Sequence, residues 1–271
     1  MSDYIHGYAL EEQARLVAQA HYWRERLILR NVNFAEGDTV LELGCGVGAV
    51  LGILGQAYPS LKLAGIDLQP TQIDYARKHL ETLGVTADLR VGDASQLPWA
   101  ESQFDQVCTT WFLEHLSQPE LALREAYRVL QPGGRLSLTE PDYMKIRPWP
   151  VNNNYDYLIS SLCDLLTQSG GSPAMGPRLG PLLEAAGFSD VQNQAWGYHY
   201  FQTAANQELK TFVEYVDGWL APTVPQIAQK LGRDPQQLAA GLDFFRRLPY
   251  QPEGAITVTI FRATCQKPLQ S

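Results

Sequence analysis

The sequence predicts a doubly wound α/β fold, a mostly parallel seven-stranded sheet with an antiparallel last strand and helical insertions. Three features of the 271-residue chain point there. Short β-rich runs alternate with helical stretches between residues 39 and 140, which implies parallel strands joined by helices lying on both faces. A glycine-rich turn, Gly44-Cys45-Gly46-Val47-Gly48, follows the first apolar run and opens a helix. Towards the end, two strand-like runs flank a helical excursion, as a distorted hairpin closing the sheet would.

Taken in order, residues 9–30 read as a helix, and strands are expected at 39–43, 61–67, 87–91, 104–110 and 135–140. Ser117-Gln118-Pro119-Glu120 reads as a capping box for a helix through Leu121, Ala122, Ala126 and Leu130. Gln131-Pro132-Gly133-Gly134 then breaks that helix. Beyond Glu140 a Pro- and Asn-rich link leads to a helix marked by Leu158, Ile159, Leu162, Leu165 and Leu166. A Gly/Pro-rich passage at 170–181 precedes a short helix stopped by Gly187 and a strand-like segment to Phe201. Residues 206–251 read as helical, with Asp234-Pro235 as a second start, before an alternating strand at 255–265. The expected division is an N-terminal helical segment covering the site at 1–35 and a nucleotide-binding core at 36–142. Residues 143–271 complete that core, with lid or substrate insertions near 143–180 and 206–251.

Composition removes several classes. With 21 Lys+Arg against 29 Asp+Glu the net charge is -8, the wrong sign for holding nucleic acid by its phosphates. Cys45, Cys108, Cys163 and Cys265 are too widely spaced for a disulfide framework or a close-spaced metal motif, so no metal is expected. The start of the chain lacks the basic and apolar stretches of a secretory signal, making a cytoplasmic protein the expectation. Residues 43–61 hold 19 positions without a charge, but five glycines, Gln56 and Pro59 between strand-like flanks argue against membrane insertion. Oligomeric state stays open, a homodimer included.

Gly44, Gly46 and Gly48 permit a tight turn and close approach of backbone to a ligand. Gly44-x-Gly46-x-x-Ala49 also satisfies the dinucleotide pattern, so the glycines do not choose between cofactors. Glu42 stands just before them, where it would repel a pyrophosphate but not a cationic group. Asp67 ends the next strand, where its carboxylate can accept from both hydroxyls of a ribose. Gly92-Asp93-Ala94 follows the third strand.

Together E-L-G-C-G-V-G from 42, G-I-D-L from 65, V-G-D-A from 91, F-D-Q-V-C-T-T-W-F-L-E-H-L from 104 and L-Q-P-G-G-R-L from 130 carry a likeness. Over residues 39–140 the chain resembles class I S-adenosylmethionine-dependent methyltransferases of the ubiquinone-biosynthesis type. The resemblance implies S-adenosyl-L-methionine as cofactor and methyl transfer to oxygen, nitrogen or carbon of a small aromatic or otherwise apolar molecule. By it, Glu42, Gly44, Cys45 and Gly46 lie by the methionine and ribose parts, and Asp67 holds the ribose. Asp93, after Gly92, holds the adenine amino group, Leu68 and Ala94 flank the ring, and Thr110 neighbours the methionine. Gln72 and Trp111 complete the cofactor set. The opening Tyr4-Ile5-His6-Gly7-Tyr8 with Glu11 to Leu16 resembles N-terminal segments of some secondary-metabolism methyltransferases, offering Tyr8 and Arg15 as cofactor contacts.

His115, just past the fourth strand, is the first candidate general base, and His199 the second. Trp111, His115, Asp142, Tyr198 and Tyr200 are candidate substrate contacts, with Arg178 a candidate carboxylate clamp. Aromatics are dense beyond residue 148, at Trp149, Tyr155, Tyr157, Trp196, Tyr198, Tyr200, Phe201, Phe212, Tyr215, Trp219, Phe244, Phe245 and Tyr250, and several of them together could form a dry acceptor pocket. Three rival readings stand. One is a cyclase-like enzyme that keeps the cofactor without transferring methyl, and another a nicotinamide-dependent oxidoreductase, for which a Tyr-x-x-x-Lys pair is missing. The last is a binding protein with a vestigial pocket, which should show damaged glycines or a lost ribose acid.

Overall fold

The computed structural model describes residues 10–205 and 207–269. Its strands are β1 (Thr39–Leu43), β2 (Lys62–Asp67), β3 (Ala87–Val91), β4 (Phe104–Thr110), β5 (Leu130–Trp149), β6 (Ser189–Phe201) and β7 (Ala255–Gln266). They form one seven-stranded sheet of order β3-β2-β1-β4-β5-β7-β6. The first five are mutually parallel, and β7 runs antiparallel to both β5 and β6. The α-helices are α1 (Leu10–Trp23), α2 (Ala49–Ala57), α3 (Pro70–Thr82), α4 (Pro119–Val129), α5 (Asn153–Gln168), α6 (Met175–Ala185), α7 (Glu208–Leu220), α8 (Val224–Leu231) and α9 (Pro235–Arg247).

Because β1 is covered on both faces, Val40, Leu41 and Leu43 are all buried rather than alternating. One face packs Val40 and Leu63 against Leu51, Leu54, Ile73 and Leu80 of α2 and α3. The other packs Leu41, Leu43 and Ile66 with α4 and α6 through Leu123, Ala126, Leu179 and Leu183. A third core joins α5, α7, α8 and α9 to the ends of β6 and β7 and to Trp23 and Leu27. Each fully buried leucine or isoleucine contributes about 1.5–3 kcal/mol. Among the described residues, no helix is long and apolar enough to cross a membrane.

Local chemistry departs from the sequence expectation in four places. The N-terminal helix is α-helical only to Trp23; Arg24–Ile28 is a π-turn whose extra residue brings both Leu27 and Ile28 inward. The capping box at 117–120 does not form, because Gln118 is the N-cap and Pro119 the first helical residue, leaving Ser117 one position too early. Strand β5 continues to Trp149 because the long β7 pairs with it past an irregularity between Asp142 and Arg147. Helix α6 starts inside the Gly/Pro-rich passage; Pro177 falls in its first turn, where no N–H partner is lost. Gly176 allows that turn onto Phe261, where a Cβ would come within 2.5 Å of the ring.

Strand order reverses between β1 and β4, and it is at the carboxyl ends flanking such a reversal that an open α/β sheet leaves a crevice. Helix α1 is tied beside it: Gln13 Nε2 donates to Gln72 Oε1 at 2.9 Å and to the Thr71 carbonyl at 3.2 Å.

Candidate active site

The crevice holds a cavity of about 290 Å³ walled by the carboxyl ends of the parallel strands and by α1 and α7. At its floor the glycine turn bends sharply, with φ of +68° at Gly44, +48° at Gly46 and +72° at Gly48. The glycines serve different ends. A Cβ on Gly44 would stand 2.2 Å from Phe112 Cδ2, so this position is shaped by internal packing. A Cβ on Gly46 would meet nothing within 4 Å and would project into open space at the cavity. Gly44→Ala should therefore lower the melting temperature in thermal denaturation. Gly46→Ala should leave it within a few degrees, beyond a backbone cost of about 1–2 kcal/mol, while abolishing ligand binding.

Asp67 locks the turn. Its Oδ2 accepts from Gly46 N at 3.0 Å and its Oδ1 from Gln69 N at 2.9 Å. Each oxygen keeps a further lone pair, the disposition a vicinal diol needs. Burial raises the Asp67 carboxyl above its ordinary range despite those two bonds. Glu42 is 3% exposed, and its Oε2 has no hydrogen-bond partner. Burial, and then the nearby Asp67, push its carboxyl well above the carboxylate range. The single arginine or lysine among the described residues of the cavity wall is Arg15, whose guanidinium is held by both oxygens of Glu12 at 2.7 Å.

Asp93 is exposed and its Oδ1 accepts from Ser95 N at 2.8 Å, while Leu68 is 46% exposed at the same rim. Gly92, Ala94, Cys45, Gln72, Thr110 and Trp111 all line the cavity. Trp111 has φ of +52°, a strained conformation for a tryptophan, where the chain leaves β4. Behind it Glu140, fully buried, accepts from the backbone N–H of Phe112, Leu113 and Glu114 at 3.1, 2.8 and 3.2 Å. That carboxyl organises the short 3-10 turn Leu113–His115. Burial raises it to about 7.

Beyond the turn the wall becomes aromatic. His115 keeps 21% of its side-chain surface, and burial lowers its pKa to about 4, so the imidazole is neutral above that pH. Phe212, Tyr215 and Trp219 line the cavity at helical spacing along α7, with Trp23 and Tyr143 beside them. Trp23 meets Tyr215 edge-on at 6.1 Å, and Tyr143 meets Trp219 likewise at 5.9 Å. Asp142 also lines the cavity, and its Oδ1 accepts from Met144 N at 3.0 Å.

Four expectations fall outside this site. His199 is exposed on the far side of β6, its Nδ1 2.8 Å from Thr257 Oγ1, because strand alternation turns it away from Tyr198 and Tyr200. Tyr198 and Tyr200 point the right way but lie one layer behind the wall. The Tyr198 hydroxyl donates to the Arg26 carbonyl at 2.8 Å, and Tyr200 stacks on Phe212 at 4.4 Å and accepts from Tyr22 Oη. Arg178 is exposed on α6, away from the cavity. Tyr8 lies outside the described residues. Sequence reasoning missed Glu114, Tyr143 and Trp23 as wall residues and the backbone-holding part played by Glu140. A second cavity of about 400 Å³, lined by Gln106, Ser137 and Arg262 among others, contains none of the glycines and not Asp67.

Comparison with known proteins bears on the same region. Residues 41–138 match the methyltransferase domain family. An uncharacterized transposon protein of Streptomyces fradiae is 41% identical over 40% of this chain and 31% of its own. A ubiquinone/menaquinone biosynthesis C-methyltransferase of Desulfotalea psychrophila is 31% identical, over 55% of this chain and 61% of that protein. An O-methyltransferase of Pyrenophora dematioidea is 30% identical, over 63% of this chain and 68% of that protein. The chain thus spans between about a third and two thirds of the length of these relatives. Among solved structures, a Bacillus subtilis protein superposes with TM-score 0.60 at 16% identity, over 92% of this chain and 100% of that one. A (4+2) cyclase superposes with TM-score 0.53 at 22% identity, over 96% of this chain and 81% of that one.

Proposed function

Because the chain belongs to the methyltransferase domain family, of the class I S-adenosylmethionine-dependent type, we propose that its cavity binds S-adenosyl-L-methionine and that a small aromatic or otherwise apolar molecule is methylated there. The atom methylated is an oxygen, nitrogen or carbon. One observation carries the cofactor half of this reading. The buried Glu42 and the half-buried Asp67 meet at a glycine turn in a cavity whose one arginine or lysine, among the described residues, is Arg15, which Glu12 already engages. Such a floor repels a pyrophosphate and favours a cationic nucleoside. The donor set fits in detail: Asp67 keeps lone pairs for a ribose diol, Gly46 leaves backbone open to the ligand, and Leu68 and Ala94 can flank an adenine.

S-adenosylmethionine supplies an electrophilic methyl carbon when bound. What the chain contributes is positioning and dryness. The turn from Thr110 to His115, held by Glu140, and the α7 aromatics form the wall against which an acceptor is aligned. Alignment of this kind is worth roughly 7 to 11 kcal/mol, more than a positioned base supplies. His115, neutral in the physiological range, can accept a proton but is not required to.

The raised Glu42 has a pH consequence. Its ordinary value lies below its value in the free protein, so a bound cation favours the ionised form and binding releases a proton. Affinity for S-adenosylmethionine should therefore rise relative to that for S-adenosylhomocysteine, which lacks the sulfonium charge, as pH increases from 5.5 to 8. Calorimetric titrations of both ligands across that range measure the ratio, and a constant ratio contradicts the pairing of Glu42 with the sulfonium. For the reaction itself, methyl-labelled S-adenosylmethionine incubated with a panel of phenols, amines and activated ring carbons should give labelled product. A product formed without label would instead mark a cyclase-like enzyme.

A further inference from the structure

We propose that the acceptor is a neutral or cationic molecule that docks an O–H or N–H donor on Glu114, and that this cavity rejects acceptors bearing a carboxylate or phosphate. The inference rests on the reading of the cavity as a methyl-transfer site and names the class of its substrate.

Glu114 lies at the aromatic end of the cavity, away from the glycine turn, and is 1% exposed. Its two oxygens differ. Oε1 lies 3.5 Å from both the Tyr143 hydroxyl and His115 Nε2, whereas Oε2 is buried without a hydrogen-bond partner. A buried acceptor left unsatisfied costs roughly 1–3 kcal/mol, and a ligand donor placed on it recovers that cost. Among the described residues the one arginine or lysine of the wall is Arg15, and Glu12 engages it. The groups facing Glu114 are Glu140 from β5, Tyr143 from the extension of β5, His115 from its own turn, and Tyr215 from α7. Two of these are phenols, one an imidazole and one a second acid, so none supplies a countercharge at neutral pH.

The charge along the whole wall points the same way. Among the described residues, Glu42, Asp67, Asp93, Glu114 and Asp142 line the cavity against Arg15. An anionic acceptor would lose its water in a low-dielectric cleft whose described wall carries five carboxyl groups and one arginine already paired with Glu12, so little there offsets the cost of burying its charge. A phenol, alcohol or amine finds an apolar floor of Phe212, Tyr215 and Trp219 for its body and Glu114 Oε2 for its donor. An ammonium gains further from the aromatic faces around it.

The test uses the full chain saturated with S-adenosylhomocysteine and follows quenching of the wall tryptophans Trp23, Trp111 and Trp219 by four probes. These are 4-ethylphenol, its methyl ether 4-ethylanisole, 4-ethylbenzylamine and 4-ethylbenzoate. The phenol and the amine should bind saturably and at least tenfold more tightly than the ether, with no saturation by the benzoate. Glu114→Leu should bring phenol and ether to equal affinity, and Glu114→Gln should retain the phenol while losing the amine's advantage. Equal or tighter binding of the benzoate overturns the proposal, as does a phenol preference that survives in Glu114→Leu, or saturation by neither donor probe. Should Glu114→Leu fail to fold, the wild-type ranking and the Glu114→Gln variant decide alone. Calorimetric binding of S-adenosylhomocysteine in the same preparations separates the two readings. If it binds and the probes show no preference, only the acceptor inference fails; if it does not bind, the cofactor reading fails first.

Discussion

Asp67→Ala should weaken binding of S-adenosylhomocysteine by about a hundredfold, roughly 3 kcal/mol, in calorimetric titration. Two losses combine. Hydrogen bonds from ribose hydroxyls to a charged acceptor are worth roughly 1.5–3 kcal/mol each. The same substitution also removes the acceptor for Gly46 N and Gln69 N, which fix the turn that approaches the ligand. Asp67→Asn retains one carbonyl oxygen and should fall between wild type and Asp67→Ala. Gly46 N and Gln69 N border the cavity, where water can replace the lost acceptor, so the melting temperature should fall by less than in Glu140→Ala. An unchanged affinity in Asp67→Ala would remove Asp67 from the ligand site.

The largest stability effect should come from Glu140→Ala. Three backbone N–H groups at Phe112, Leu113 and Glu114 converge on this one carboxyl, and alanine leaves all of them without it. At roughly 1–3 kcal/mol for each donor, with the half-buried Phe112 N–H at the low end, the loss is about 3–7 kcal/mol, or on the order of 10 °C in melting temperature. Activity should fall with stability, because the turn that carries Trp111, Glu114 and His115 loses its anchor. Glu140→Gln preserves an acceptor oxygen and should be much milder. It also isolates a pH effect. The folded value of Glu140 is raised to about 7, above its ordinary carboxylate value, so its contribution is present at low pH and is lost as pH rises towards 7. The wild type should therefore lose stability relative to Glu140→Gln across that window in thermal melts. A pH-independent difference would show that burial does not hold the Glu140 proton.

Legibility of this fold in the sequence followed the range of the forces involved. Strands β1, β3 and β4 are readable to the residue because local composition and glycine punctuation set their ends. The cofactor floor is readable for the same reason: Glu42, the glycines, Asp67 and Asp93 each sit at a strand end that the sequence marks. Elements fixed by distant partners are not. The continuation of β5 to Trp149 depends on the length of β7, more than a hundred residues later, and the start of α6 depends on a close contact between Gly176 and Phe261.

The acceptor wall shows the same divide. Helix α7 is legible as a helix, but that Phe212, Tyr215 and Trp219 face the cavity follows from how α7 packs beside α1 and the end of β5. Alternation on β6 separates His199 from Tyr198 and Tyr200, yet it does not reveal that the Arg24–Ile28 turn and Phe212 stand between those tyrosines and the cavity. Glu140 reads as an edge residue in sequence. Only the three converging N–H groups show that it faces inward, and only with that turn in place does Glu114 become part of the wall.

The account turns on an S-adenosyl nucleoside, not a dinucleotide, occupying the glycine turn beside Glu42 and Asp67. Isothermal titration of the full chain with S-adenosylhomocysteine and, separately, with NAD tests it directly. Saturable heat with S-adenosylhomocysteine and none with NAD is the predicted result; saturable binding of NAD with no heat from S-adenosylhomocysteine would contradict it.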